Sequence, residues 1–298
     1  MTTAQHARDV QEFEVHRHRL VGLAYRMLGS RTDADDVVQD AFLRWHTAAR
    51  RDIGDPGRWL GTVVTRLCLD RIKSARARRE IYVGAWLPEP IVDESFDSEA
   101  GSDVAHDISV ALMLTLERLS PLERAAFLLH DVFELDFTEV ARALDRTEAA
   151  VRQLASRARD HLRRDKPRFP ASAETGRTLA AAFRAAAESG DAHALLPLLA
   201  ADAVLVTDGG GRKLAALNPI LGADKIMRFF RGVARKSSVQ DGAAVVVAFR
   251  PATVNGMAGF VLKEADGAIA TIAFEPRDGK IGAIYLVRNP DKLRHVKF

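Results

Sequence analysis

The chain has 298 residues, with 43 Lys and Arg against 40 Asp and Glu and an apolar share of 47%, an ordinary globular balance and enough length for about two domains. A single cysteine, Cys68, excludes a disulfide framework within the chain and any Cys-rich zinc site; a reducing compartment, the cytoplasm, is the expected setting. No run of 18 apolar residues occurs, so no membrane helix is expected, and the first residues lead into charge rather than into a signal-peptide core.

Residues 7–80 read as helices. Val10, Phe13, Val15, Leu20, Leu23, Ala24, Met27 and Leu28 recur near helical spacing, and Gly29-Ser30 ends that run. Thr32 is the expected cap of the next helix, with Asp33, Asp35 and Asp36 in its first turn and Val37, Val38, Ala41, Phe42 and Trp45 as its apolar stripe. A loop from Thr47 to Pro56 leads to a third helix through Trp59, Leu60, Val63, Val64, Leu67 and Ile72. Residues 81–103 have the composition of a linker, within which Trp86-Leu87-Pro88-Glu89-Pro90 stands out. Its prolines favour extended backbone, and its Trp and Leu are poorly suited to water; a local hydrophobic clasp and a docking peptide are both open readings.

Helices resume over 104–165. Ser120-Pro121-Leu122-Glu123 is a capping box with Pro at the first helical position, Asp136 starts a helix over Phe137–Leu144, and Thr147 caps a last one. In that last helix Val151, Leu154, Ala155, Ala158 and Leu162 share one face, leaving Arg152, Gln153, Ser156, Arg157, Arg159 and Arg163 outside. A short capped helix, a tight turn and a basic amphipathic helix make a helix-turn-helix pattern. Past Pro167 and Pro170, helices are expected at 174–189, 191–199 and 223–236, with strands at 202–207, 243–250, 252–262, 267–275 and 280–287, an α+β arrangement.

Charge is unevenly spread. Residues 66–79 hold six basic groups against one acid, residues 81–115 hold seven acids and no Lys or Arg, and residues 142–168 hold nine basic groups against four acids. Two Arg-dominated helical patches point to a polyanion, and nucleic acid fits best because arginine forks onto phosphate or a guanine edge. The acidic stretch between them resembles nucleic acid in charge; the plainer reading is a soluble spacer.

Asp33-Ala34-Asp35-Asp36-Val37-Val38-Gln39-Asp40-Ala41-Phe42 after Gly29-Ser30 closely resembles the polymerase-binding helix of bacterial sigma factors. Pro56-Gly57-Arg58-Trp59-Leu60 and Asp70 through Arg76 look like the promoter −10 segment that follows it. Leu119 through Arg124, Thr138 through Ala141, and Ala150 through Gln153 with Arg157-Ala158-Arg159 resemble the −35-reading helix-turn-helix. Their order, with a linker and no third domain between, is that of the small extracytoplasmic-function (ECF) sigma factors. Trp86–Pro90, Asp208-Gly209-Gly210-Gly211-Arg212 and Asn289-Pro290-Asp291-Lys292-Leu293 further resemble the SigJ-type group, which carries a C-terminal SnoaL-like extension. That group usually ends its glycine motif in Lys; here Arg212 is followed by Lys213.

The resemblance implies a multidomain fold: two all-α sigma domains, the second a helix-turn-helix, and an α+β NTF2/SnoaL-like cone. Residues 1–80 would be the polymerase and −10 domain, 81–103 the acidic linker, 104–166 the −35 domain and 172–298 the extension. It implies an alternative initiation factor, monomeric when free, with core RNA polymerase and promoter DNA as partners. Asp36, Gln39 and Asp40 would meet polymerase, while Asp33 serves as a capping residue. Arg66, Arg71, Lys73 and Arg76 would serve −10 DNA; Trp45 and Trp59 are better read as core. Glu148, Arg152, Gln153 and Arg157 would read −35 DNA, where a bidentate Arg–guanine pair gives about 1–3 kcal/mol of discrimination. The WLPEP, DGGGR and NPDKL segments would make regulatory contacts against the linker or the first domain.

In the extension His193, Asp202, Tyr285 and His295 are the residues suited to acid–base work, but none is paired at a diagnostic spacing and no metal motif is present. No catalytic residue, metal or cofactor is therefore expected, while a small ligand in the cone stays open. Two other classes remain: a helix-turn-helix regulator that binds DNA without polymerase, and an enzyme or ligand sensor built on the extension.

Overall fold

A computed structural model describes residues 3–48, 53–80, 82–93, 109–165, 172–237 and 246–298. The chain forms two compact units: Met1–Glu80 with Ala111–Lys166, and Ile81–Val110 with Pro167–Phe298.

The first unit is helical. Helices α1 (Thr3–Leu28), α2 (Arg31–Thr47) and α3 (Pro56–Glu80) pack around Phe13, Leu23, Met27, Val37, Trp45, Leu60 and Val64, all essentially inaccessible to solvent. Trp45 lies 5.7 Å from the half-buried Trp59, centroid to centroid, so both rings belong to the packing. Val15 departs from the expected stripe and is 77% exposed. Gly29 takes φ 67° to end α1. The cap of α2 is Ser30, not Thr32: the Asp33 amide donates to its hydroxyl at 3.0 Å. That frees the Asp33 carboxylate, which accepts from Arg71 at 2.8 Å instead of capping the helix.

Helices α4 (Val110–Arg118) and α5 (Pro121–Phe127), a π-helical turn (Leu128–Val132), α6 (Phe137–Leu144) and α7 (Glu148–Asp165) follow. Both capping boxes close reciprocally, Ser120 with Glu123 and Asp136 with Glu139. Asp145, at φ 53°, supplies the left-handed residue that turns α6 into α7. Arg124 ties this half to the first three helices: its buried guanidinium donates to the Met27 carbonyl at 2.6 Å and to Glu117 at 2.7 Å.

The second unit is α+β. Its sheet runs β1 (Val92–Asp93), β4 (Val246–Val254), β5 (Met257–Glu264), β6 (Ile269–Arg277), β7 (Lys280–Val287), β2 (Leu199–Asp208), β3 (Ile220–Leu221). Strands β2 and β7 pair in parallel, the rest antiparallel. Helices α8 (Ala173–Glu188) and α9 (Ala223–Ser237) cover one face, where Phe183, Ile226, Phe260, Ile272, Phe274 and Ile284 form the core. The segment expected as a helix over 191–199 is a 3₁₀-helix over Ala192–Leu198, and Leu199 already opens β2.

The expected break between strands at residue 251 is displaced. Pro251 lies inside β4, opposite Phe260, and the hairpin turns at Asn255-Gly256, with φ 48° and 72°. Among the described residues β1 covers the far side of β4 only at Thr253 and Val254, so Pro251 displaces no described ladder partner there.

Replacing Arg124 with alanine leaves Glu117 without its buried cation and the Met27 carbonyl without its donor. The helical unit should lose about 3 kcal/mol, read as a lowered urea midpoint.

Candidate functional site

The most elaborate polar site of the second unit is built on Asp208, the last residue of β2 and wholly buried. Its Oδ1 accepts from the Tyr82 hydroxyl at 2.5 Å and from the Gly210 amide at 3.0 Å. Its Oδ2 accepts from the Leu87 amide at 2.9 Å and from Lys292 Nζ at 2.7 Å. Four donors match the roughly four lone-pair sites of a carboxylate. Lys292 also donates to the Leu87 carbonyl and lies 4.4 Å and 4.9 Å from the Trp86 and Tyr82 ring centroids, a desolvated cation over two aromatic faces.

The three sequence segments therefore converge. Leu87, Pro88 and Pro90 are buried and Trp86 and Glu89 half-buried. Gly209 has no room for a side chain, because a Cβ would stand 2.1 Å from the Lys213 carbonyl oxygen; at Gly210 it would strike Asn289. Asn289 caps the Pro290–Lys292 turn and donates to Tyr82 at 2.8 Å, Arg212 reaches Asp291 at 3.4 Å, and Leu293 is buried. Further along, Asn255 exchanges hydrogen bonds with Ile91, β1 adds to the edge of β4, and His295 meets the Pro90 carbonyl. Residues 82–93, the connector, are thus held along their length on the C-terminal unit. Tyr82 was not anticipated; nothing in its neighbourhood marks a lone tyrosine four residues before Trp86. Burial and the Asp208 carboxylate push its phenol pKa up, so it stays a donor.

On α2, Asp36, Gln39 and Asp40 are exposed at i, i+3 and i+4, one polar face opposite the buried Val37, Val38 and Ala41. Asp36 also accepts from Arg71 at 3.2 Å, so Arg71 bridges two carboxylates of α2. Arg66 donates to the Arg142 and Ala143 carbonyls at 2.8 Å each, satisfying the C-terminal end of α6. Arg58 pairs with Glu139 at 2.5 Å, and Arg19 lies 4.4 Å over the Phe133 ring. The side chains of Lys73 and Arg76 lie outside the described residues. So do the acids from Glu94 to Asp107 and part of the Thr47–Pro56 loop.

On α7, Arg152, Gln153 and Arg157 are exposed on the face away from Val151, Ala155 and Ala158. Glu148 pairs with Arg152, which also lies 4.3 Å over the Phe137 ring; these contacts hold the guanidinium close to the helix start. Arg159, expected on the outer surface, is half-buried and forks onto Asp131 at 2.7 and 3.1 Å.

In the extension, a cavity of about 800 Å³ lies between helices and sheet. None of His193, Asp202, Tyr285 or His295 lines it. His193 is exposed beside Asp191, Asp202 pairs with Arg277, and Tyr285 donates to Glu275 at 2.7 Å. Burial first, then the Glu275 carboxylate, pushes the Tyr285 phenol pKa well up. Among the described residues no cluster of His, Cys, Asp and Glu has the makings of a metal site, and no helix is long and apolar enough to cross a membrane.

Family models match two stretches: Sigma-70 region 2 over residues 13–78 and Sigma-70 region 4 over residues 109–162. The chain is 38% identical over 294 residues, 95% of its length and 93% of the relative's, to the ECF RNA polymerase sigma factor SigJ of Mycobacterium tuberculosis. It is an ECF sigma factor. A second relative, the probable ECF sigma factor SigI of the same organism, is 38% identical over 200 residues, 66% of this chain and 68% of that one. The crystal structure of M. tuberculosis SigJ covers 96% of the chain and is itself covered to 98%, with a TM-score of 0.75 at 38% identity. The expected fold class, helical sigma domains followed by a sheet-rich C-terminal domain, is the one this sigma factor has, and its function is to direct RNA polymerase to promoters.

Asp208→Ala would remove the counter-ion of Lys292 and the acceptor of the Leu87 amide in a desolvated site. The C-terminal unit should lose about 3–5 kcal/mol, and hydrogen exchange across residues 82–93 should accelerate, most at Leu87.

Proposed function

We propose that this sigma factor meets core polymerase through Asp36, Gln39 and Asp40 and engages −10 DNA with α3 and −35 DNA with α7. Its C-terminal unit regulates both steps by holding the connector. One observation carries the regulatory reading: the segment joining the two sigma regions, residues 82–93, is clasped by Asp208, Asn255, Asn289, Lys292 and His295 of the C-terminal unit. A polymerase-bound factor must span two promoter elements, and the connector sets how its two regions can be placed. Fixing its backbone constrains that span, so docking and release alter initiation.

The polymerase reading is supported by the exposed acidic and amide face of α2. In the helical unit Arg66 and Arg71 already have protein partners. They engage −10 phosphates by exchanging those partners, whereas Lys73 and Arg76 complete the basic stretch of α3. On α7, Gln153 and Arg157 reach bases or phosphates from the exposed face, with Arg152 and Glu148 beside them. Region 2 and region 4 pack together through Arg66, Arg58 and Arg124, so promoter engagement includes their separation. The extension carries no catalysis in this reading: His193, Asp202, Tyr285 and His295 stand apart from the cavity, and the carboxylates that line it, Glu188 and Glu264, are engaged by Arg184 and Arg288. The factor works in the cytoplasm, as a monomer until it joins polymerase.

Run-off transcription with bacterial core polymerase tests the reading, comparing the full chain with residues 1–168. A promoter-specific transcript is expected, at a level that differs between the two. Silence from both folded proteins would favour a DNA-binding regulator. Replacing Asp36, Gln39 and Asp40 together by alanine should abolish co-elution with core polymerase and leave the circular dichroism unchanged. Arg157→Ala should weaken promoter binding about tenfold, without effect on polymerase binding.

A further inference from the structure

We infer that the cavity of the C-terminal unit binds a neutral, mainly apolar small molecule, and that its occupancy is linked to docking of the connector. The second half of this inference rests on the regulatory reading above; the first stands without it.

The cavity has the volume of a drug-sized ligand site, about 800 Å³. Its walls are chiefly apolar: Phe183, Leu195, Phe229, Phe230, Phe249 and Leu262 are among the residues that line it. The polar groups in its wall are already satisfied. Arg288 forks onto Glu264 at 2.7 and 2.9 Å and donates its remaining arm to the Leu214 carbonyl. Glu264 also accepts from Lys213, which itself pairs with Asp266 at 2.5 Å. Glu188, the other acid of the wall, pairs with Arg184 at 3.1 Å, so with their partners three cations and three acids balance. Thr207 both donates to and accepts from the Ala216 backbone. A charged ligand would lose its hydration and find its counter-ion engaged. A neutral apolar one gains by burial against the ring-rich wall.

The wall of the cavity is also the back of the connector clasp. At the end of β2, Thr207 lines the cavity while Asp208 binds the connector; after β7, Arg288 lines the cavity while Asn289 binds Tyr82. This is strand alternation used on two faces. The amides of Arg288 and Asn289 both donate to the Asp208 carbonyl, locking the two strand ends together. Between them, the loop 209–217 touches both sides. Leu214, Ala215 and Ala216 face the cavity, and Gly211 and Leu217 abut Val83 and Gly84 of the connector. A ligand that pushes on or orders Leu214–Ala216 therefore acts on the support of the connector.

The test uses the full-length protein and two dyes of similar size, neutral N-phenyl-1-naphthylamine and anionic 8-anilino-1-naphthalenesulfonate. The neutral dye should bind saturably at one per chain, at least tenfold more tightly than the anionic one. Ala248→Trp and Val246→Trp, which fill the cavity from β4, should each weaken it at least tenfold; a variant whose melting temperature falls is set aside for the other. Equal or tighter binding of the anionic dye, or binding indifferent to the folded filling variant, overturns the site. Hydrogen exchange over residues 82–93 should slow at saturating neutral dye; unchanged exchange overturns the link to the connector. No polymerase is present in either measurement, so these outcomes are independent of the transcription experiment.

Discussion

A carboxylate buried without a cation is among the most unfavourable groups a fold can contain, and one surrounded by four donors, a lysine among them, is among the most specific. Asp208 is in the second condition only while the connector is docked, because two of its four donors, the Tyr82 hydroxyl and the Leu87 amide, arrive with residues 82–93. The other two, Gly210 and Lys292, are local to the extension. The site is thus half built by the extension and half by the segment between the sigma regions. The glycines that follow Asp208 and the turn that carries Lys292 make sense as the means of bringing those four donors to one point.

The helical unit uses arginine in a related way. Arg66 caps the carbonyl end of α6, Arg71 bridges Asp33 and Asp36, and Arg124 reaches the Met27 carbonyl. A guanidinium that satisfies backbone carbonyls or carboxylates within the protein holds the charge that phosphate would otherwise attract. On the proposed assignment of Arg66 and Arg71 to −10 DNA, packing within the free factor and binding to DNA draw on overlapping groups.

What the sequence disclosed, and what it did not, follows from range. Signals closed within three or four residues were legible: both capping boxes, Gly29 and the apolar face of α7. Local competition was harder to read. Ser30 and Thr32 are both sound caps by chemistry, and only the position of Asp33 opposite Arg71 decides between them. Pro251 looked like a strand break, yet the stronger hairpin signal was Asn255-Gly256, and among the described residues β1 pairs with β4 only beyond the proline, at Thr253 and Val254. The convergence of the three regulatory segments was suggested by family resemblance. Their meeting point, and the part played by Tyr82, depend on contacts across more than a hundred positions that no periodicity encodes. The cavity was open in the sequence as a possibility; its neutrality depends on Glu264 and Arg288 pairing across 24 positions.

The two-residue strand Val92–Asp93 has an effect beyond anchoring. It occupies one margin of the seven-stranded sheet, where β4 would otherwise offer Thr253 and Val254 to solvent or to a passing strand. A connector fully lifted away would leave that margin able to pair with a neighbouring molecule. On the docking-and-release reading proposed above, peeling the connector from Tyr82 and Leu87 while Ile91–Asp93 stay in register would keep that margin covered. The moving part of such a switch would be the stretch from Tyr82 to Pro90, with the sheet margin as its hinge.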